Sequence, residues 1–149
     1  MRLSRGLLSL LVPAVLSCTS FDSPGGPGIA LYLELSATTV PTSGDPINAT
    51  IIARNVSTGP LTLSGPNDCL LYVEVWNSRS QRVYSSASQC AGAVIDEELG
   101  PGETKTATVT WAGTTTNGDR LPAGIYRMHP VALLPGGAYS QPGANVRVE

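Results

Sequence analysis

The chain contains three cysteines, and the surroundings of the first predict where the protein goes. Cys18 follows an apolar run over residues 7–16, and that run follows two positive charges, Arg2 and Arg5. A charged start, a short apolar run and small residues before a cleavage point form a secretory signal. The run is too short to span a bilayer and is interrupted by Pro13. The sequence therefore predicts an exported protein.

The residues beside Cys18 predict a modification of its thiol. Residues 15–17 read Val-Leu-Ser, and this order before a cysteine resembles a bacterial lipoprotein signal. The resemblance implies that the signal peptide 1–17 is cleaved, that Cys18 receives a diacylglycerol and that acyl chains hold the protein on the membrane. Thr19, where an Asp could stand, implies the outer membrane in a host that has one. The expected localisation is the cell envelope.

Cys69 and Cys90 remain as a pair once Cys18 is assigned to lipid. An even pair of cysteines in an exported protein predicts one disulfide, and the alternative is two free buried thiols. A zinc site has less support, because the chain has no CxxC spacing and a single histidine, His129. We expect neither a metal nor a cofactor.

The remaining reactive side chains do not form a catalytic pattern. Strand parity puts His129 outward, where it is interpreted as a surface histidine, whereas a nucleophilic site needs a base beside its nucleophile. The acidic run at 96–98 lies within one predicted strand, where neighbouring side chains point to opposite faces. This run is therefore interpreted as a charged sheet edge that deters pairing between sheets. The sequence predicts a protein that is not an enzyme.

Two aromatic residues are the one indication of a binding surface. Tyr72 and Trp76 share the outward face of a predicted strand over 70–76, opposite Val73 and Val75. Exposed aromatic side chains can mark a binding site. The alternative is that other parts of the fold cover them, and the sequence leaves both possibilities open.

Composition and periodicity predict the fold that positions these residues. Charged residues make up 13% of the chain, and Gly (16) and Pro (12) are abundant, which favours an all-β domain. The net charge of −2 comes without a basic stripe, which argues against nucleic acid as a partner. Residues 18–28, rich in Gly and Pro, are expected to be a flexible tether before one domain over 29–149.

Short apolar runs alternate with turn residues through that domain and predict a β-sandwich of about seven to nine strands. In the strand over 103–111, period-2 alternation puts Trp111 in the core and four threonines in water. Pro130 cannot donate to a strand ladder and predicts an edge or a bulge. The predicted strands cover residues 29–37, 47–55, 61–63, 70–76, 83–85, 93–99, 103–111, 124–134 and 144–148.

The order of turns and aromatic residues over 99–126 resembles the intracellular proteinase inhibitor family (BsuPI-like domains). The matching segments are PGE at 101–103, Trp111 with Gly113, NG at 117–118, LPAGIY at 121–126 and an N-x-S turn at 55–57. The resemblance covers roughly residues 46–134 and implies an immunoglobulin-like β-sandwich. The chain departs from the family in its lipoprotein signal, which puts any target outside the cytoplasm.

These observations predict a non-catalytic, lipid-anchored cell-envelope protein whose β-sandwich binds an unknown envelope protein or a protease. The lipid on Cys18 is expected to attach the protein to the membrane. The alternative prediction is a proteinase inhibitor presented at the cell surface. That alternative needs a rigid, projecting loop, for which residues 112–120 are the first candidate and 77–82 the second.

Overall fold

The structure, a computed structural model, describes residues 27–149. These residues form eleven strands and two short 3-10 helices, Asn67–Cys69 and Ser86–Gln89. The strands are β1 Ile29–Leu35, β2 Thr39–Val40, β3 Ile47–Asn55, β4 Leu61–Pro66, β5 Leu71–Trp76, β6 Arg82–Ser85, β7 Val94–Leu99, β8 Thr104–Trp111, β9 Gly124–Leu134, β10 Gly137–Ser140 and β11 Ala144–Val148.

The strands assemble into two main sheets and one small one. The first main sheet has the order β1-β3-β8, and the second has the order β2-β11-β9-β5-β6 with β10 added beside β9. Strands β4 and β7 form a separate antiparallel pair. The all-β sandwich expected from the sequence is confirmed, and all nine expected strands are present. β2 and β10 are additional.

The core lies between the inner faces of the two main sheets, as the period-2 alternation of their strands requires. Ile51 of the first sheet and Val75 and Met128 of the second are fully buried. Trp111 is 1% exposed, and its indole N–H donates a hydrogen bond to the carbonyl oxygen of Thr114 at 2.9 Å. The threonines that alternate along β8 are exposed. The predicted orientation of this strand is therefore confirmed.

The long strand β9 changes partner near Pro130. Residues 124–128 pair with β11, and residues 131–134 pair with β10 on the same side. Pro130 lies in the gap between these two pairings, where no ladder donor is needed, and it faces Val73 of β5 on the other side. The irregularity predicted at this proline is present.

Candidate functional site

A disulfide joins Cys69 and Cys90, as the sequence predicts, with their Cα atoms 5.7 Å apart. One cysteine ends the first 3-10 helix and the other follows the second. The bond therefore closes the segment that contains the β5–β6 hairpin. Cys18, the predicted lipidation residue, lies outside the described residues. Within residues 27–149, no helix is long and apolar enough to cross a membrane.

The outer face of the second main sheet carries a groove of about 650 Å³. One wall is the turn over 77–82, which joins β5 to β6, and the other is made by β9, β10 and β11. We call this feature the outer-face groove. Its lining residues are Glu74, Trp76, Asn77, Ser78, Ser80, Ile125, Tyr126, Arg127, His129, Ser140 and Asn145.

Strand register explains why these residues meet. Across the β5–β9 ladder, Glu74 is opposite His129 and Trp76 is opposite Arg127. Across the β9–β11 ladder, Arg127 is opposite Asn145. Directly opposed residues of antiparallel strands project to the same face of the sheet. Two neighbouring rows of side chains, from three strands, therefore line the groove.

Trp76 is half-buried and its ring is held from two sides. The ring of His129 meets it edge-on, with centroids 6.5 Å apart and planes at 77°. The indole N–H donates a hydrogen bond to Oε2 of Glu74 at 3.3 Å. Because both contacts act on the same ring, the indole is positioned in the groove before any ligand arrives.

The charge of Glu74 is balanced inside the wall of the groove. Nη1 of Arg82 donates to Oε1 of Glu74 at 2.6 Å. The Glu74 side chain is 12% exposed, whereas that of Arg82 is 55% exposed. The carboxylate therefore serves to orient Trp76 and Arg82 and leaves little negative charge at the groove.

His129 lies on the outward face, as strand parity predicts, but it is not the freely solvated histidine that the sequence suggested. Its ring is half-buried beside Trp76, and Nδ1 is 3.2 Å from the carbonyl oxygen of Gln141. Since a carbonyl oxygen can only accept, Nδ1 is the donor in this contact. The histidine is part of the packed floor of the groove.

Tyr72 is not an exposed aromatic residue, which corrects one half of the predicted binding surface. It is 7% exposed, and its strand partner Val131 is 2% exposed, because this end of the sheet face is covered. Burial raises the pKa of Tyr72, the carboxylate of Glu74 raises it further, and Arg82 lowers it. Of the two predicted aromatics, Trp76 lines the groove and Tyr72 does not.

Sequence reasoning missed the part of the groove that β9 and β11 supply. Arg127 and Asn145 are exposed, and Ile125 is 57% exposed. The signal was present, because Ile125, Arg127 and His129 occupy alternate outward positions of one predicted strand. Their pairing with Trp76 depends on a ladder between strands distant in sequence, which the pattern of one strand does not reveal.

The acidic run at 96–98 lies in β7, which pairs with β4 away from the groove. Nζ of Lys105 is 2.5 Å from Oε2 of Glu97. Among residues 27–149, no cluster of three or more His, Cys, Asp or Glu side chains could hold a metal ion.

The segment 112–120 is fastened to the body of the domain. The guanidinium of Arg120 donates to the carbonyl oxygens of Ala112 at 2.8 Å and Pro41 at 2.7 Å. The N–H of Thr116 donates to the carbonyl of Val83 at 3.2 Å. The segment is therefore held by several hydrogen bonds, and Thr116 joins it to the edge strand β6.

The segment 77–82 is a tight turn. Oδ1 of Asn77 accepts hydrogen bonds from the N–H groups of Arg79, at 2.9 Å, and Gln81, at 3.0 Å. Ser80 has a φ of 57°, in the left-handed region. A side-chain oxygen that replaces backbone partners in this way is typical of an Asx turn. The turn holds Ser78 and Ser80 at the rim of the groove.

No protein-family model and no curated protein matches this chain. Among solved structures, latent PorU from Porphyromonas gingivalis is similar over 83% of the chain and 10% of its own length, at 16% identity and a TM-score of 0.50. A β-glucosidase from Erythrobacter marinus is similar over 81% of the chain and 15% of its own length (10% identity, TM-score 0.49). The chain thus spans a small part of both proteins. The likeness to PorU shows the fold alone.

Proposed function

We propose that this chain is a lipid-anchored cell-envelope protein that acts by binding, without catalysis, through the outer-face groove. The observation that carries the proposal is the half-buried Trp76, held in place by His129 and Glu74 at the side of a groove of about 650 Å³. Volumes of this order are typical of ligand sites, and an indole fixed before binding loses little conformational entropy on binding.

The engagement of the Glu74 carboxylate, the one acidic group in the described lining of the groove, supports a non-catalytic role. Both carboxylate oxygens of Glu74 already accept hydrogen bonds, from Trp76 and Arg82. A general base must be within hydrogen-bond reach of the proton it abstracts, and both oxygens of Glu74 are directed to their neighbours instead. Nδ1 of His129 donates to the carbonyl oxygen of Gln141, and its ring packs edge-on against Trp76. Their arrangement suits the positioning of side chains.

Binding in the groove is favoured over the insertion of a loop into a protease. The segment 112–120 is bonded to β6 through Thr116, and the segment 77–82 is a closed turn around Asn77. The hydrogen bonds of both segments are made to the domain itself, whereas Trp76 is held in a groove that can receive a ligand. The surface-presented proteinase inhibitor, and the family resemblance from which it comes, stay predictions.

Membrane attachment rests on the sequence order before Cys18 and is tested directly by mass spectrometry of the native N-terminus. We expect a mature chain that begins at Cys18 and carries acyl chains. An unmodified Cys18, or a retained Met1, overturns the lipid-anchored part of the proposal and leaves the groove to be tested separately.

Photo-crosslinking in cells that produce the protein tests the groove. A benzophenone amino acid replaces Ser80, at the groove rim, and in a matched control it replaces Thr108, which is exposed on the other sheet. Adducts that form from position 80 and not from position 108 support binding at the groove. Equal adducts from both positions, or none from position 80, contradict it.

A further inference from the structure

We propose that the outer-face groove binds an acidic polysaccharide, with a sugar ring lying against Trp76 and its carboxylates meeting the arginines around the groove. This inference rests on the proposed function and names the ligand class of the same groove. Three features support it: the distribution of charge, the chemistry of the groove lining, and the hydrogen bonds that already occupy the edge strand beside the groove.

The cations of the domain are concentrated around this groove. The chain has nine lysines and arginines, and Arg2 and Arg5 precede the described part, which leaves seven. One of the seven, Arg127, lines the groove, and three more belong to the elements that border it. Arg79 is in the adjoining turn, Arg82 is paired with Glu74, and Arg147 is opposite the lining residue Ile125.

The local charge is opposite to that of the whole chain. Glu74 is the one acidic residue that lines the groove in the described structure, and Arg82 already balances it. Arg79, Arg127 and Arg147 are exposed and take part in neither of the two ion pairs formed within residues 27–149. The chain nevertheless has a net charge of −2. Exposed arginines in and beside the groove of an acidic protein are electrostatically complementary to an anionic ligand.

The lining also offers groups that suit a sugar ring. The indole of Trp76, across the ladder from Arg127, and the side chain of Ile125, two residues along β9 and 57% exposed, provide apolar surface. Amide and hydroxyl groups of Asn145 and Ser80 stand at the walls. A pyranose presents C–H groups on its faces and hydroxyl groups around its edge. A mixed lining of this kind therefore accommodates both parts of such a ring.

An extended acidic peptide is less suited to the same place. Peptides that bind to sheets usually add a strand to a free edge, and most of their affinity comes from main-chain hydrogen bonds. The edge strand β6 next to the groove is already occupied, because the N–H of Ser85 donates to Oγ1 of Thr116 and the N–H of Thr116 donates to the carbonyl of Val83. The groove lies on a sheet face and offers side chains, which favours a ligand with its own polar groups.

The test measures binding of the purified full-length protein to three carboxylated polymers, polygalacturonate, alginate and hyaluronan, by isothermal titration calorimetry. Methyl-esterified polygalacturonate keeps the sugar rings but loses the charge, and poly-L-glutamate keeps the charge but has no rings. We expect at least one carboxylated polysaccharide to bind, and the ester and poly-L-glutamate to bind about tenfold more weakly or not at all.

Two variants and a matched control locate the binding. Trp76→Ala and Arg127→Gln are each expected to weaken binding about tenfold, the loss that one good contact causes. Arg54→Gln changes an exposed arginine on β3, in the other sheet, and is expected to bind as wild type does. Because Arg127 is exposed, its variant reports on binding even if Trp76→Ala lowers the stability.

The outcomes separate the two proposals. If no polysaccharide binds while position 80 still crosslinks to a partner, the ligand class is wrong and the proposed function stands. If poly-L-glutamate binds as tightly as the best polysaccharide, the groove recognises charge alone and the inference falls. If Arg54→Gln weakens binding as much as Arg127→Gln does, binding is not at the groove, and the inference falls as well.

Discussion

The side-chain amide of Asn55 donates a hydrogen bond to the carbonyl oxygen of Leu99, at 2.8 Å, and so joins the ends of β3 and β7, which are 44 residues apart. Asn55 is fully buried, and its remaining polar atoms are also satisfied. Nδ2 donates to the carbonyl of Gly59, and Oδ1 accepts from the N–H and the hydroxyl of Ser57. This is the N-x-S turn of the sequence, and its side chain fastens two parts of the sandwich together.

Replacing Asn55 by Ala is expected to lower the free energy of unfolding by roughly 2–4 kcal/mol, because the carbonyl of Leu99 loses a buried hydrogen bond and the turn at 55–59 loses the side chain that joins Ser57 to Gly59. Chemical denaturation measures the loss. Asn48→Ala is the matched control: Asn48 is exposed on the same strand and bonds to the hydroxyl of Thr110, and we expect about 0.5 kcal/mol or less. Equal losses in the two variants would contradict the role assigned to Asn55.

Trp111→Ala is expected to cost roughly 3–5 kcal/mol, since it removes a large buried aromatic side chain from the core. The ring of Tyr84, whose centroid is 6.1 Å from that of Trp111, would lose its main neighbour there. His129→Ala is the comparison and is expected to cost about 1 kcal/mol, the value of one edge-on ring contact. Denaturant melts of both variants measure the two losses. If Trp111→Ala unfolds at the same denaturant concentration as wild type, the placement of Trp111 in the core is contradicted.

Strands with a strict period of two were predictable from the sequence. β3 and β8 alternate over their whole length, and one face of each must be buried, so both their extent and their inward residues follow from the pattern. β2 has two residues, too few for any period, and it exists because it pairs with β11. β10 follows a Gly-rich turn and is ordered by its pairing with β9. Neither strand has a pattern of its own.

The groove was predictable in part. Trp76 was predictable because alternation puts it on the outward face of its strand, where an exposed aromatic side chain can mark a binding site. Tyr72 has the same parity, yet it is buried. Alternation indicates which face of the sheet a residue is on, but it does not indicate whether other parts of the fold cover that face. Arg127 and His129 belong to a strand about fifty residues further along the chain, and their place beside Trp76 is set by the register of a long-range ladder.

The double variant Cys69→Ala with Cys90→Ala removes the disulfide and is expected to lower the free energy of unfolding by on the order of 3 kcal/mol. The bond joins cysteines 21 residues apart in the sequence, and it stabilises the fold because it reduces the conformational entropy of the unfolded chain. Denaturant melts of the double variant measure the loss, and wild-type protein melted with a reductant should lose a similar amount. The bond closes the segment that contains β5 and β6. Protease cleavage of the double variant should therefore appear first in the β5–β6 hairpin. A double variant as stable as wild type would rule out a stabilising role for the bond.

The stability of the protein is expected to fall as the pH rises above about 10, where ordinary tyrosines ionise. Burial raises the pKa of Tyr84, and burial with the nearby Glu74 carboxylate raises that of Tyr72. Between the ordinary pKa and the raised one, the unfolded chain has released these protons while the folded protein still holds them. The unfolded state binds fewer protons there, so the free energy of unfolding decreases with pH.

Denaturant melts at a series of pH values from about 8 to about 11 measure that slope across the ordinary tyrosine pKa. Tyr84→Phe removes a buried phenol and should make the decline shallower, because one group no longer favours the unfolded chain at high pH. Wild-type protein melted at the same pH values is the reference for this comparison. Equal slopes in wild type and Tyr84→Phe would mean that Tyr84 ionises alike in the folded and unfolded states, against its burial beside Trp111.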